Sequence, residues 1–123
     1  MSQKRTILYI DDEAVNLFLF RRMFEDRYEV VTASSPNEAL TKLESNPSIS
    51  AVFSDMKMPG MDGISFVKRA KKQFDQISYY IITAFSFNTD IDRAIADKLI
   101  KRVFPKPFDV PTIQEELDGI PTF

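Results

Sequence analysis

Four times along the chain a short apolar run stops at a polar residue. Ile7-Leu8-Tyr9-Ile10 ends at Asp11-Asp12-Glu13, Ala51-Val52-Phe53-Ser54 at Asp55, Tyr79-Tyr80-Ile81-Ile82 at Thr83, and Val103-Phe104 leads through Pro105 to Lys106. Runs this short, bounded by turn-forming residues, predict buried strands over Arg5–Ile10, up to Asp55, over Ser78–Thr83 and over Lys101–Phe104. Tyr28–Ala33, rich in β-formers, predicts one more.

Between the strands the period changes to that of a helix. From Ala14, the apolar positions Val15, Leu17, Phe18, Phe20, Met23 and Phe24 fall at helical spacings, with Arg21, Arg22 and Glu25 on the other side. Ser34-Ser35-Pro36 opens a second helix with Ser35 as its cap and Ala39, Leu40 and Leu43 as its apolar face. Asn46-Pro47-Ser48 then turns the chain into the strand that ends at Asp55. A third helix has Ile64, Val67, Ala70 and Phe74 facing the sheet, Phe66 off the stripe at its edge, and a solvated basic face of Lys68, Arg69, Lys71 and Lys72. Asn88 to Leu99 mixes acids with Ile91, Ala94 and Ile95 as a fourth helix does. Asp109 caps a fifth, with Pro111 in its first turn and Ile113, Leu117 and Ile120 on one face. Strand and helix thus alternate five times. The prediction is an α/β fold: a parallel sheet covered by helices on both faces and joined by right-handed crossovers.

Composition narrows the chemistry. At 123 residues, 44% hydrophobic and 28% charged, the chain has the size and balance of one soluble globular domain. A net charge of -2 gives no basic field for direct nucleic-acid binding. Without cysteine or histidine there is no disulfide framework, no thiol catalyst and no Ser-His or Cys-His triad, so reactivity falls to carboxylates, hydroxyls and lysines. No apolar run is long enough to span a membrane and the N-terminus has no signal-peptide core, so the expected location is cytoplasmic, with no membrane contact.

A parallel sheet gathers the C-terminal ends of its strands at one edge, where ligands bind. Here that edge receives Asp11 and Asp12, Asp55, Thr83 and Lys106. Crowded carboxylates repel unless a cation sits among them, and a hard divalent ion with oxygen ligands, such as Mg²⁺, resolves the conflict. A lysine and a threonine hydroxyl beside such a site suit phosphoryl oxygens, so the constellation reads as phosphoryl transfer to a carboxylate.

These motifs, Asp11-Asp12-Glu13, Asp55 followed by Met58-Pro59-Gly60-Met61-Asp62-Gly63, Thr83-Ala84 and Lys106-Pro107-Phe108, resemble those of the CheY-like receiver domains of bacterial two-component response regulators. The likeness runs from about Arg5 to Ile120. It implies a doubly wound, flavodoxin-like (βα)5 fold with strand order 2-1-3-4-5, filling residues 1–123 as a single receiver domain without an output domain. It also implies that Asp55 accepts a phosphoryl group from the phosphohistidine of a histidine kinase or phosphotransfer protein. Mg²⁺ would be held by Asp12, Asp55 and the Lys57 carbonyl, with Asp11 acting through water. Thr83, Lys106 and the amides of Lys57 and Ala84 would hold the phosphoryl oxygens. The Lys106-Pro107 bond is expected to be cis. The output would be a downstream effector or a missing output domain, and the only chemistry the domain's own phosphorylation and dephosphorylation.

Some positions depart from the family pattern. Three residues before Lys106, where the family usually has a Tyr or Phe that rotates on activation, stands Val103, and Phe104 beside it should face the opposite side of the sheet. Lys57 and Phe85 flank the site, where they are expected to exclude the hydrolytic water and prolong the phosphorylated state. Val103 motivates an alternative, a degenerate receiver that docks partners without being phosphorylated. An aspartyl-phosphate phosphatase follows a different pattern, two acids separated by one residue after the first strand with a Thr close behind, which Asp11-Asp12-Glu13-Ala14-Val15 does not supply.

Overall fold

A computed structural model of the chain describes residues 4–84 and 89–120. Strands β1 (Arg5–Ile10), β2 (Tyr28–Ala33), β3 (Ile49–Asp55), β4 (Ser78–Thr83) and β5 (Arg102–Pro105) alternate with helices α1 (Ala14–Phe24), α2 (Pro36–Ser45), α3 (Gly63–Gln73), α4 (Thr89–Ala96) and α5 (Val110–Asp118). The strands form one parallel sheet in the order β2-β1-β3-β4-β5. This is the flavodoxin-like architecture expected from the motifs.

Side-chain alternation divides the core into two layers. Leu8, Ile10, Val52, Tyr79 and Ile81 face α2, α3 and α4, whereas Ile7, Tyr9, Phe53, Tyr80 and Phe104 face α1 and α5. The second layer is aromatic: Phe20 stacks on Tyr9 at 4.4 Å and Phe53 on Tyr80 at 4.9 Å between ring centroids. Caps hold the helix starts as expected, with Ser35 accepting from the Glu38 amide and Asp109 from that of Thr112.

Four local expectations change. Phe66 does not sit at the edge of α3; it is fully buried in the layer beneath α2, α3 and α4. The apolar surface of α1 is wider than its core contact, which is made mainly by Phe20 and Phe24. Val15, Phe18, Leu19 and Met23 face solvent, Val15 and Phe18 at 60% exposure. Helix α4 ends at Ala96 because Lys98 adopts a left-handed backbone, φ 61°. The Leu99 amide then donates to Ala94 and the Lys98 amide to Ile95, a Schellman closure made without glycine. β5 begins one residue late and runs on to Pro105, which pairs with Thr83.

Candidate functional site

Asp55 is the last residue of β3, a strand buried along nearly its whole length. Ser54 fixes its carbonyl, donating a hydroxyl hydrogen bond of 2.9 Å. Beyond it the chain must turn sharply into α3. Gly60 takes φ 83°, which glycine adopts without penalty, and Asp62 caps α3 by accepting from the Ser65 amide at 2.8 Å. The Gly63 amide reaches back to the Met56 carbonyl at 2.8 Å, drawing the start of α3 over the acid.

Asp11 continues β1 by one ladder bond, its amide donating to the Ala33 carbonyl at 3.2 Å, and its side chain is fully buried. Asp12 stands exposed beside it. Asp11, Asp12 and Asp55 can each offer a carboxylate oxygen, all within 4.8 Å of one another. Lys106 reaches into this group from the loop after β5, its ammonium 3.1 Å from Asp11 Oδ2 and 3.3 Å from Asp55 Oδ1. The Lys106 amide donates to the Thr83 carbonyl at 3.0 Å, which ties the lysine loop to the end of β4, and the Lys106-Pro107 bond is cis as expected.

The electrostatics follow from this crowding. Burial, more than any other effect, raises the pKa of Asp55; the charge of Asp11 raises it further, and Lys106 offsets only part. Burial would also raise Asp11, but hydrogen bonds from Tyr9, the Glu13 amide and Lys106 together outweigh it and hold that carboxyl below its usual value. Lys106 is disfavoured by burial, yet the hydrogen bond and charge of Asp11 and the charge of Asp55 keep its pKa above normal. The site therefore contains one well-compensated acid, Asp11, and one under-compensated acid, Asp55. A hard cation on oxygen ligands is the group that this donor set fits.

Asp11, Asp12, Asp55 and Lys106 thus come together, and buried Thr83 ends β4 at the same edge. Lys57 and Ala84 are exposed in the loops that follow β3 and β4, and Phe85 lies outside the described residues. Val103 is half-buried toward the α4 layer while Phe104 is buried in the opposite one, so Phe104 does not replace the absent ring. Sequence reading missed Tyr9 and Asn16. Both donate to Asp11 Oδ2, at 2.6 Å and 3.0 Å, yet Tyr9 reads as one more apolar strand residue. Its position two residues before Asp11, hence on the same face of the strand, was the available signal.

Residues 7–118 match the family described as response regulator receiver domain. The chain belongs to this family. Receiver domains are signalling modules of two-component systems that interact with histidine kinases or phosphotransfer proteins and bind Mg²⁺ at an acidic pocket; the described residues of this chain include an acidic cluster of Asp11, Asp12 and Asp55. The chain is 32% identical over 113 residues to sporulation initiation phosphotransferase F of Bacillus subtilis, covering 89% of this chain and 87% of that protein. It is 30% identical over 109 residues, 88% of its length, to the hydrogenase transcriptional regulatory protein HoxA of Cupriavidus necator, but spans only 22% of that longer protein. Among solved structures, a receiver domain from Clostridium thermocellum superposes with a TM-score of 0.81 at 31% identity, covering 94% of this chain and 92% of that one. The chemotaxis protein CheY4 of Vibrio cholerae shares the fold, with a TM-score of 0.85 at 24% identity over 97% of this chain and all of its own.

Proposed function

We propose that this receiver is a phosphoacceptor switch whose acceptor is Asp55. The observation that carries the reading is the Lys106 ammonium lying between Asp55 and Asp11, with Asp12 at the rim of the same cluster. A carboxylate oxygen of Asp55 attacks the phosphorus of a donor phosphohistidine. The phosphorus–nitrogen bond breaks, its electron pair returns to the imidazole, and an acyl phosphate remains on Asp55. Asp12, Asp55 and the Lys57 carbonyl would hold Mg²⁺, with Asp11 acting through water. When bound, the ion supplies charge that neutralises the acids and the incoming phosphoryl oxygens. Lys106, the Thr83 hydroxyl and the Lys57 and Ala84 amides take the phosphoryl oxygens. Catalysis extends no further than the domain's own phosphorylation and dephosphorylation, and the output lies in a cytoplasmic effector or attached domain.

The donor is a histidine kinase or phosphotransfer protein. Helix α1 starts at the rim of the acid cluster and presents Val15, Phe18, Leu19 and Met23 to solvent, which suits the apolar face of a helical partner. No helix among the described residues is long and apolar enough to cross a membrane.

Incubation with Mg²⁺ and acetyl phosphate, followed by intact-mass spectrometry, tests the acceptor. Wild type gains one phosphoryl group and Asp55→Asn gains none. Equal labelling of both, or labelling indifferent to a chelator, overturns the assignment; no labelling of wild type leaves the phosphorylation-independent docking module.

A further inference from the structure

The Asp11 side chain accepts four hydrogen bonds. Its Oδ2 accepts from Tyr9 Oη at 2.6 Å, Asn16 Nδ2 at 3.0 Å and Lys106 Nζ at 3.1 Å, and its Oδ1 accepts from the Glu13 amide at 2.9 Å. With Lys106 alone as partner, a fully buried carboxylate would hold the ammonium fast, because breaking a buried ion pair leaves one charge uncompensated. Phosphorylation of Asp55 asks Lys106 to do just that: to turn from the acids to the phosphoryl oxygens.

Tyr9 is built to ease this departure. Its ring is fixed on both sides, stacked on Phe20 at 4.4 Å and meeting Phe108 edge-on at 5.6 Å, so the hydroxyl is aimed at Asp11 before any ligand arrives. Phe108 follows Lys106 by two residues and also packs on Phe20 at 5.5 Å. One side chain therefore holds Asp11 through its hydroxyl and the lysine loop through its ring. Asn16, in the first turn of α1, supplies a second donor that does not move with that loop.

We propose that Tyr9 and Asn16 are positioning residues that keep Asp11 compensated when Lys106 leaves it, so that the lysine passes to the phosphoryl group at little cost. The inference rests on the phosphoacceptor reading and deepens it. Losing one donor hurts the state without Lys106 more than the state with it, because three donors share Oδ2 in one and two in the other.

Tyr9→Phe keeps the ring and removes only the hydroxyl. Beryllofluoride, a phosphoryl mimic, is titrated in saturating Mg²⁺ and followed by amide NMR. Tyr9→Phe and Asn16→Ala each weaken its binding about fivefold, a fraction of what a full charge-assisted hydrogen bond is worth. In metal-free protein, where Lys106 has lost a competitor for Asp11, its ammonium protons exchange with water more slowly in Tyr9→Phe than in wild type. A variant with a lowered melting temperature but wild-type beryllofluoride affinity would show a merely structural tyrosine and overturn the inference while leaving Asp55 as acceptor. Failure of wild type itself to bind beryllofluoride overturns the acceptor reading and the inference with it.

Discussion

Gly63 approaches Asp55 so closely that a β-carbon added at residue 63 would stand 2.5 Å from the Asp55 carbonyl oxygen and 2.9 Å from Ile81 Cδ1. The first obstacle is backbone and cannot swing aside. Here glycine serves close approach, since it lets α3 begin directly over the acceptor strand.

Gly63→Ala must therefore move either the start of α3 or the end of β3. Overpacking of this kind costs about 1–3 kcal/mol. Because the displaced atoms belong to Asp55, phosphorylation by acetyl phosphate should slow more than the stability loss explains. Thermal melts and labelling rates on the same protein check this; an alanine variant with wild-type values for both would mean that the close approach constrains nothing.

The exposed face of α1 separates two kinds of donor. Phe18→Asp places a charge on that face without touching the acids, so acetyl phosphate should label the variant at the wild-type rate. Transfer from a phosphorylated histidine kinase or phosphotransfer protein should fall at least ~10-fold, the loss of one central apolar contact plus a desolvated charge. Equal slowing with both donors would place the effect in the site and not at a docking face.

Element types and the site acids were legible because each rests on local chemistry. Short apolar runs ending at Asp11, Asp55 and Thr83 read as strands, and Ser35, Asp62 and Asp109 sit where helix caps are needed, although Asp62 reads in sequence only as part of the loop. What failed depends on neighbours that the period cannot show. Val15, Phe18 and Met23 follow the same helical spacing as Phe20 and Phe24, and only the width of the sheet beneath decides which are covered. Phe66 is buried because α2, α3 and α4 share one layer. Lys98 closes α4 in a conformation that sequence assigns to glycine, an exception paid for by the two Schellman hydrogen bonds and joined by one from Lys71 Nζ to the Lys98 carbonyl. The Tyr9 hydroxyl was hidden by the apolar company of its ring.

Val103 pairs with Ile81 on the edge strand and is only half-buried, so its site tolerates a larger side chain. Val103→Tyr should change stability by less than ~1 kcal/mol. Restoring the ring that the family usually carries should alter the coupling between phosphorylation and partner binding, read as the ratio of partner affinities with and without beryllofluoride. An unchanged ratio would show that Val103 is not a break in the switch.

The opposite pKa shifts of Asp11 and Asp55 give stability curves of opposite sign in metal-free buffer. Asp55 is raised by burial and by the charge of Asp11, so the folded protein holds that proton to higher pH than the unfolded chain. As pH rises from the ordinary carboxylate value of ~3.9 through the raised one, the unfolded state releases the proton first and stability is lost, to stay lower above. Asn cannot ionise. Asp55→Asn should thus melt above wild type at neutral pH, and its advantage should vanish as pH falls below the ordinary carboxylate range. Asp11 is the reverse: burial pushes it up, but the donors around it win and its folded value is depressed. Its stabilisation is present above the unfolded value and disappears as pH falls through the folded one, so Asp11→Asn should melt below wild type at neutral pH and approach it only in stronger acid. Saturating Mg²⁺ should raise the wild-type melting temperature and shrink the Asp55→Asn advantage, since the ion relieves the same repulsion. Melting curves across pH for the three proteins, with and without chelator, decide it; two variants shifting in the same direction at neutral pH would remove the distinction between a compensated and an under-compensated acid.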